Sequence, residues 1–250
     1  MREIVPGQIE ATVDQFLRPQ SEVSDSRRRE RSWDLCFDHF QNHPAPTDTI
    51  ELSSLHLGYY LASWGMLRGS SFLLHETNAL HYRKTIEVIE KHNDAMRGFG
   101  VPQYLDEGRY EKYDQAWTDL RAALIPAGIS DVTLVSKVMM GVWGCIPALD
   151  TNFRRTFKDL STTRSERGAW NKGNRRALAM LHEVWCEHRD EIERVRSSYP
   201  VWSLATREPT ARELTCAKVL DIYGFQMAAS KGRRRVGRNK ALLPPMSEIN

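Results

Sequence analysis

Cysteine is scarce, and what there is does not cluster. Cys36, Cys145, Cys186 and Cys216 are scattered with no CxxC pair. That removes the spacing used by zinc sites and iron–sulfur clusters and leaves reduced thiols as the expectation. No metal site is therefore expected. No apolar run approaches the roughly 18–20 residues of a membrane span. The opening stretch MREIVPGQIEATVDQF is charged and carries no apolar core of a secretion signal, so a cytoplasmic protein with no membrane partner is expected. No segment sustains an apolar–polar alternation, so strands should be few or absent. No internal repeat is visible.

The 250 residues are 41% apolar and 27% charged, ordinary values for a globular chain. The net charge is only +3 but uneven. Arg27, Arg28, Arg29 and Arg31 form one basic cluster; Lys231, Arg233, Arg234, Arg235, Arg238 and Lys240 form another. Such clusters suit a phosphate backbone, and equally a solvated charge run.

Residues 1–30 read as an irregular basic arm, 31–230 as a helical domain, and 231–250 as a flexible basic tail. Within the domain, helical periodicity predicts helices over about 32–41, 50–67, 77–95, 109–124, 131–144, from 150 onward, 174–197 and 209–229. A polar loop covers 161–173. Around nine helices are expected, and the fold class is all-α.

The chemistry concentrates in residues 124–158, LIPAGISDVTLVSKVMMGVWGCIPALDTNFRRTFK. Pro126 and Gly128 make a tight turn over 126–131, and a helix follows. Gly128, Ile129 and Ser130 then offer backbone N–H groups at a helix N-terminus, where a phosphate is favoured. The helix from Val132 to Val142 is apolar nearly all round and should be buried. Pro147 ends the connection, and Asp150 stands where an N-cap belongs. Lys137, inside the apolar helix, is costly unless paired, and an ion pair with a carboxylate is expected. A desolvated Lys137 beside Asp150 would admit Schiff-base chemistry.

Hairpin turn, apolar helix and N-terminal Asp within about 25 residues resemble the helix-hairpin-helix glycosylase superfamily. The order Pro147, Leu149, Asp150, Asn152, Phe153, Arg154, Arg155 is similar to the catalytic stretch of its adenine–mismatch branch, and Gly128-Ile129-Ser130 to its hairpin Gly-x-Gly. Met66 to Ser71 is a weaker echo of the turn that inserts side chains into the DNA stack. The resemblance implies a two-lobed fold with a central cleft, Asp150 as catalytic carboxylate, and Gly128, Ile129, Ser130, Asn152 and Arg155 against the DNA backbone. It implies no organic cofactor, a monovalent cation at the hairpin being the one candidate. The partner would be double-stranded DNA, bound by a monomer at the nucleoid. A flipped base needs aromatic walls and polar edge-readers. His56, Tyr60, Trp64, Trp143 and Lys137 are the pocket candidates; core packing accounts for most of them.

Departures shape the activity. Strand-cleaving members carry a Lys where this chain has Val132. Lys137 lies five residues on, about 140° round the helix, and should not substitute, so a monofunctional enzyme that leaves an abasic site is expected. Trp64 stands where the adenine branch has Glu, which argues against adenine excision by that route. The segments YLASWGM and SKVMMGVWGCIP resemble a bacterial family tied to mobile or defence loci. Some members of that kind excise hypermodified cytosines, including glucosylated hydroxymethylcytosine, from phage DNA. A damaged or mismatched base competes as substrate. A non-catalytic helix-hairpin-helix DNA-binding module, with Asp150 only as N-cap, is the alternative; a helical interaction protein without a DNA role is the third.

Overall fold

Helix α7 (Val132–Trp143) is the hub of the structure, a computed structural model that describes residues 1–21, 29–130 and 132–241, with side chains left aside at 19–21, 29 and 231–241. Every residue of α7 except Thr133 is buried, as its all-round apolar sequence predicts. Its C-terminal carbonyls, which have no intrahelical partner, are met by side chains. Trp33 Nε1 donates to the Met140 carbonyl at 2.9 Å, and Gln41 Nε2 to that of Val142 at 3.0 Å. The Tyr104 hydroxyl donates to the Cys145 carbonyl just beyond, at 2.7 Å.

Before α7 come α1 (Gln8–Ser21), α2 (Ser32–Asn42), α3 (Ile50–Ser63), α4 (Phe72–His75), α5 (Arg83–Met96) and α6 (Glu107–Leu124), of which α2, α3 and α6 pack against it most. After it come α8 (Thr151–Leu160), α9 (Arg164–Ala169), α10 (Arg175–Glu187), α11 (Arg189–Ser198) and α12 (Cys216–Ala241). Short 3-10 turns at Pro46–Thr49 and Ala79–Tyr82 lead into α3 and α5. One antiparallel hairpin, β1 (Pro200–Trp202) and β2 (Pro209–Glu213), pairs Pro200 with Glu213 and Trp202 with Pro209. The fold is thus mostly helical. Among the described residues no helix is long and apolar enough to cross a membrane.

Five sequence expectations change. The polar loop expected over 161–173 contains α9, whose N-terminus is closed by a Thr163–Glu166 capping box. The irregular arm 1–30 contains α1, whose Ile9, Val13 and Leu17 are buried at helical spacing; Arg27 and Arg28 lie outside the described residues. The single helix expected over 174–197 is two, because His188 leaves helical geometry (φ −120°, ψ 25°) as C-cap of one and N-cap of the next. The helix expected from 209 starts at Cys216, since residues 209–213 pair as a strand instead. The tail expected from 231 is helical through Ala241 as the continuation of α12, and residues 242–250 lie outside the description.

Candidate active site

Asp150 caps α8. Its backbone is extended (φ −76°, ψ 178°) and its Oδ1 accepts from the Phe153 N–H at 2.9 Å. The other oxygen faces inward, 3.9 Å from Lys137 Nζ. One oxygen therefore serves the cap and the other faces the Lys137 ammonium.

Two side chains of α7 hold the turn before Asp150. The Leu149 N–H donates to Ser136 Oγ at 2.9 Å, and Thr133 Oγ1 donates to the Leu149 carbonyl at 3.2 Å. Thr133 is only three residues beyond Ser130. The exposed turn 126–130 and the carboxylate thus share one end of α7. Gly128 there has φ +84°, a left-handed conformation that suits glycine, and open space where a side chain would stand. Ile129 and Ser130 are exposed beside it; Asp131 lies outside the described residues.

The 140° offset does not carry Lys137 away from the site, because the turn folds back onto the α7 face that Lys137 occupies. The expected ion pair is present, and its partner is Asp150. Burial opposes charge on both groups. It pushes the Asp150 carboxyl up and the Lys137 ammonium down, each held back by the other's charge. A carboxylate made more basic in this way is a better proton acceptor near neutral pH.

These two groups share a small cavity with Phe16, Tyr60, Trp64, Ala148, Lys218, Asp221, Ile222 and Phe225. Tyr60 packs flat on α7: a Cβ at Gly141 would lie 2.5 Å from its ring, so only glycine lets the ring approach. Burial and the charges of Asp221 and Asp150 keep the Tyr60 phenol protonated, well above its ordinary range. Trp64 meets Phe225 edge-on at 5.9 Å, and its ring lies under two ammonium groups, Lys137 at 5.5 Å and Lys218 at 5.3 Å. The cavity volume is about 10 Å³, room for about one water molecule.

Tyr60, Trp64, Lys137 and Asp150 converge as expected. His56 and Trp143 do not. His56 stacks on His39 with ring centres 4.2 Å apart, and Trp143 donates to Asn93 Oδ1 at 2.8 Å in the core. Asn152 contributes its backbone N–H to the Asp150 carboxylate, while Arg155 is exposed on α8. Sequence reasoning missed Phe16, Lys218, Asp221 and Phe225. For Lys218 and Asp221 the signal was there, a Lys and an Asp three apart in the apolar run CAKVLDIYGF.

Among the described residues no group of three or more His, Cys, Asp or Glu side chains could hold a metal ion. No family model, curated protein or solved structure matches the chain.

Proposed function

We propose that this chain is a monofunctional DNA glycosylase of the helix-hairpin-helix kind, with two helical lobes around a cleft. It hydrolyses the N-glycosidic bond of a flipped nucleotide and leaves an abasic site. The observation that carries the reading is a desolvated carboxylate in an aromatic-walled cavity, on a turn tied by Thr133 to the end of α7 that follows the exposed Gly128 turn. Hydrolysis develops positive charge on the sugar, and a fixed carboxylate stabilises it while orienting or deprotonating water. Asp150 fills that role. Tyr60 and Trp64 supply stacking surface and a hydroxyl edge. The N–H groups of Gly128 and Ser130 take a backbone phosphate of duplex DNA, directly or through a monovalent cation; contrary to the sequence expectation, the Ile129 N–H is turned to the Pro126 carbonyl at 3.4 Å. Asn152 and Arg155 flank that strand. The protein acts as a monomer at the nucleoid and needs no organic cofactor.

A cavity of about 10 Å³ admits no base. A nucleotide enters only when Phe16, Trp64 and Phe225 swing aside, and a glucosylated cytosine would need the widest opening. The same small volume favours the second reading, a DNA-binding module without catalysis.

Base release separates them. Duplexes carrying damaged, mismatched or hypermodified bases, glucosylated hydroxymethylcytosine included, are incubated with the wild type and Asp150→Asn, and free base is quantified. One substrate class should release its base, and the variant should be slower by about 10²–10⁴-fold. Asn also caps helices well, so the fold survives the change. Salt-sensitive DNA binding with no release from any duplex would return the non-catalytic module. Lys137 does stand desolvated beside Asp150, the condition for Schiff-base chemistry, so borohydride decides that point: no trapped complex keeps the enzyme monofunctional, and a trapped one makes Lys137 the nucleophile and the enzyme a strand-cleaving one.

A further inference from the structure

α12 brings a second buried ion pair to the cavity. Lys218 Nζ donates to Asp221 Oδ2 at 2.9 Å, with side chains 6% and 13% exposed. The other oxygen of Asp221 accepts the Ala148 N–H at 3.1 Å. Ala148 stands two residues before Asp150. The turn is therefore gripped on both sides, by Ser136 and Thr133 of α7 and by Asp221 of α12. Among these three, Asp221 is the one that carries a charge and also lines the cavity.

A neutral side chain would satisfy the Ala148 N–H. A buried carboxylate is costly unless paired, so its presence calls for a reason beyond that hydrogen bond. The cavity supplies one. Two ammonium groups and two carboxylates face each other there, and Trp64 lies under both ammonium groups.

We infer that Asp221 is a positioning residue for Asp150: it pins the turn through Ala148, and its charge fixes the protonation of the Lys137–Asp150 pair. The inference rests on the reading of Asp150 as the reacting carboxylate. The groups facing Asp221 are Lys218 on its own helix, Lys137 from α7, Asp150 at the start of α8 and Tyr60 from α3. Their electrostatics agree in sign. The Asp221 charge raises the proton affinity of Asp150 and of Lys137 alike. Removing it lowers both, so the whole pH profile of the pair moves toward acid.

Two variants separate the holding role from the charge role. Asp221→Asn keeps an acceptor for Ala148 and loses the charge; Asp221→Ala loses both. Two readouts are taken on the full chain. One is the ¹³C titration of the Asp150 carboxyl carbon, assigned with Asp150→Asn; the other is base release against pH. In Asp221→Asn the Asp150 titration should move to lower pH, and both limbs of the base-release profile should follow, with the maximum rate within about three-fold of wild type. In Asp221→Ala the maximum should fall at least ten-fold, since misplacing a reacting group by about 1 Å can cost about 10²-fold. An Asp150 titration unmoved in Asp221→Asn would overturn the charge role. An Asp221→Ala rate equal to wild type would overturn the positioning role. Should the wild type release no base while the titration shifts as stated, the link from Asp221 to Asp150 stands and the glycosylase reading falls.

Discussion

Two of the regions of this molecule that bury titratable side chains do it in opposite ways. At one end of α7, Lys137, Asp150, Lys218 and Asp221 set opposite charges around a cavity. Between α2 and α3, three imidazoles stack instead: His39 lies 4.2 Å from His56 and 4.3 Å from His43. The hydrogen bonds of that stack are neutral. His43 Nδ1 donates to the His39 carbonyl at 2.7 Å, and His39 Nε2 meets Ser53 Oγ at 3.0 Å. Ser53 passes its own proton to the Pro46 carbonyl at 3.0 Å, so His39 Nε2 is the donor. Burial and the neighbouring imidazoles hold His39 down at about 3, and burial also lowers His56. The stack is built to stay uncharged, whereas each buried cation of the quartet has a carboxylate beside it. Structural packing needs only the first, whereas chemistry on a developing charge needs the second.

The largest effect should come from breaking the quartet. Lys137→Met leaves Asp150 buried without its partner, and removing one member of such a pair costs about 3–5 kcal/mol. Urea unfolding at pH 7 measures it. With the ammonium gone, the folded-state proton affinity of Asp150 rises further above its unfolded value. The folded variant then binds more protons than the unfolded chain, and its deficit should shrink as pH falls from 7 toward 5. A deficit below about 1 kcal/mol, constant with pH, would mean that water already solvates the pair.

The stack should respond to acid in the opposite sense. The unfolded chain protonates His39 near 6.5, the folded chain only near 3. Between those values the unfolded state binds the extra proton, so stability should fall steadily as pH drops from 6.5 to 3 and level off below. His39→Leu should flatten this slope while lowering base release by less than two-fold. A slope unchanged in His39→Leu would place the acid-labile group elsewhere.

The contrast also explains what could be read in the sequence. The quartet's first half was legible because its signals are local. The turn at Gly128, the apolar α7 and the capping position of Asp150 lie within about 25 residues, and each follows from backbone rules. Lys137 was legible as a misfit in an apolar helix. The second half carried its own local signal, a Lys and an Asp in an apolar run, but nothing in the sequence tied it to Asp150, because α12 arrives some 70 residues later by tertiary packing alone. Phe16 arrives on a helix whose short apolar stripe, Ile9, Val13 and Leu17, is diluted by polar neighbours. His56 was a reasonable base-reader by type and helix face, and the proximity of His39 and His43 decided otherwise.

The smallest effect sharpens the comparison most, because His56 was a candidate on the wrong side of it. His56 donates to the Leu35 backbone and stacks on His39. His56→Gln keeps an amide donor and loses the stacked ring, worth about 0.5–1.5 kcal/mol. For a chain of this size the thermal midpoint should drop by about 2–4 °C. Base release should stay within about two-fold, because the imidazole does not line the Asp150 cavity. The two readouts must therefore part company: stability moves and chemistry does not. A ten-fold loss of base release with an unmoved midpoint would put the imidazole at the reacting nucleotide. It would also erase the division between a stack that only packs and the quartet proposed as the reacting site.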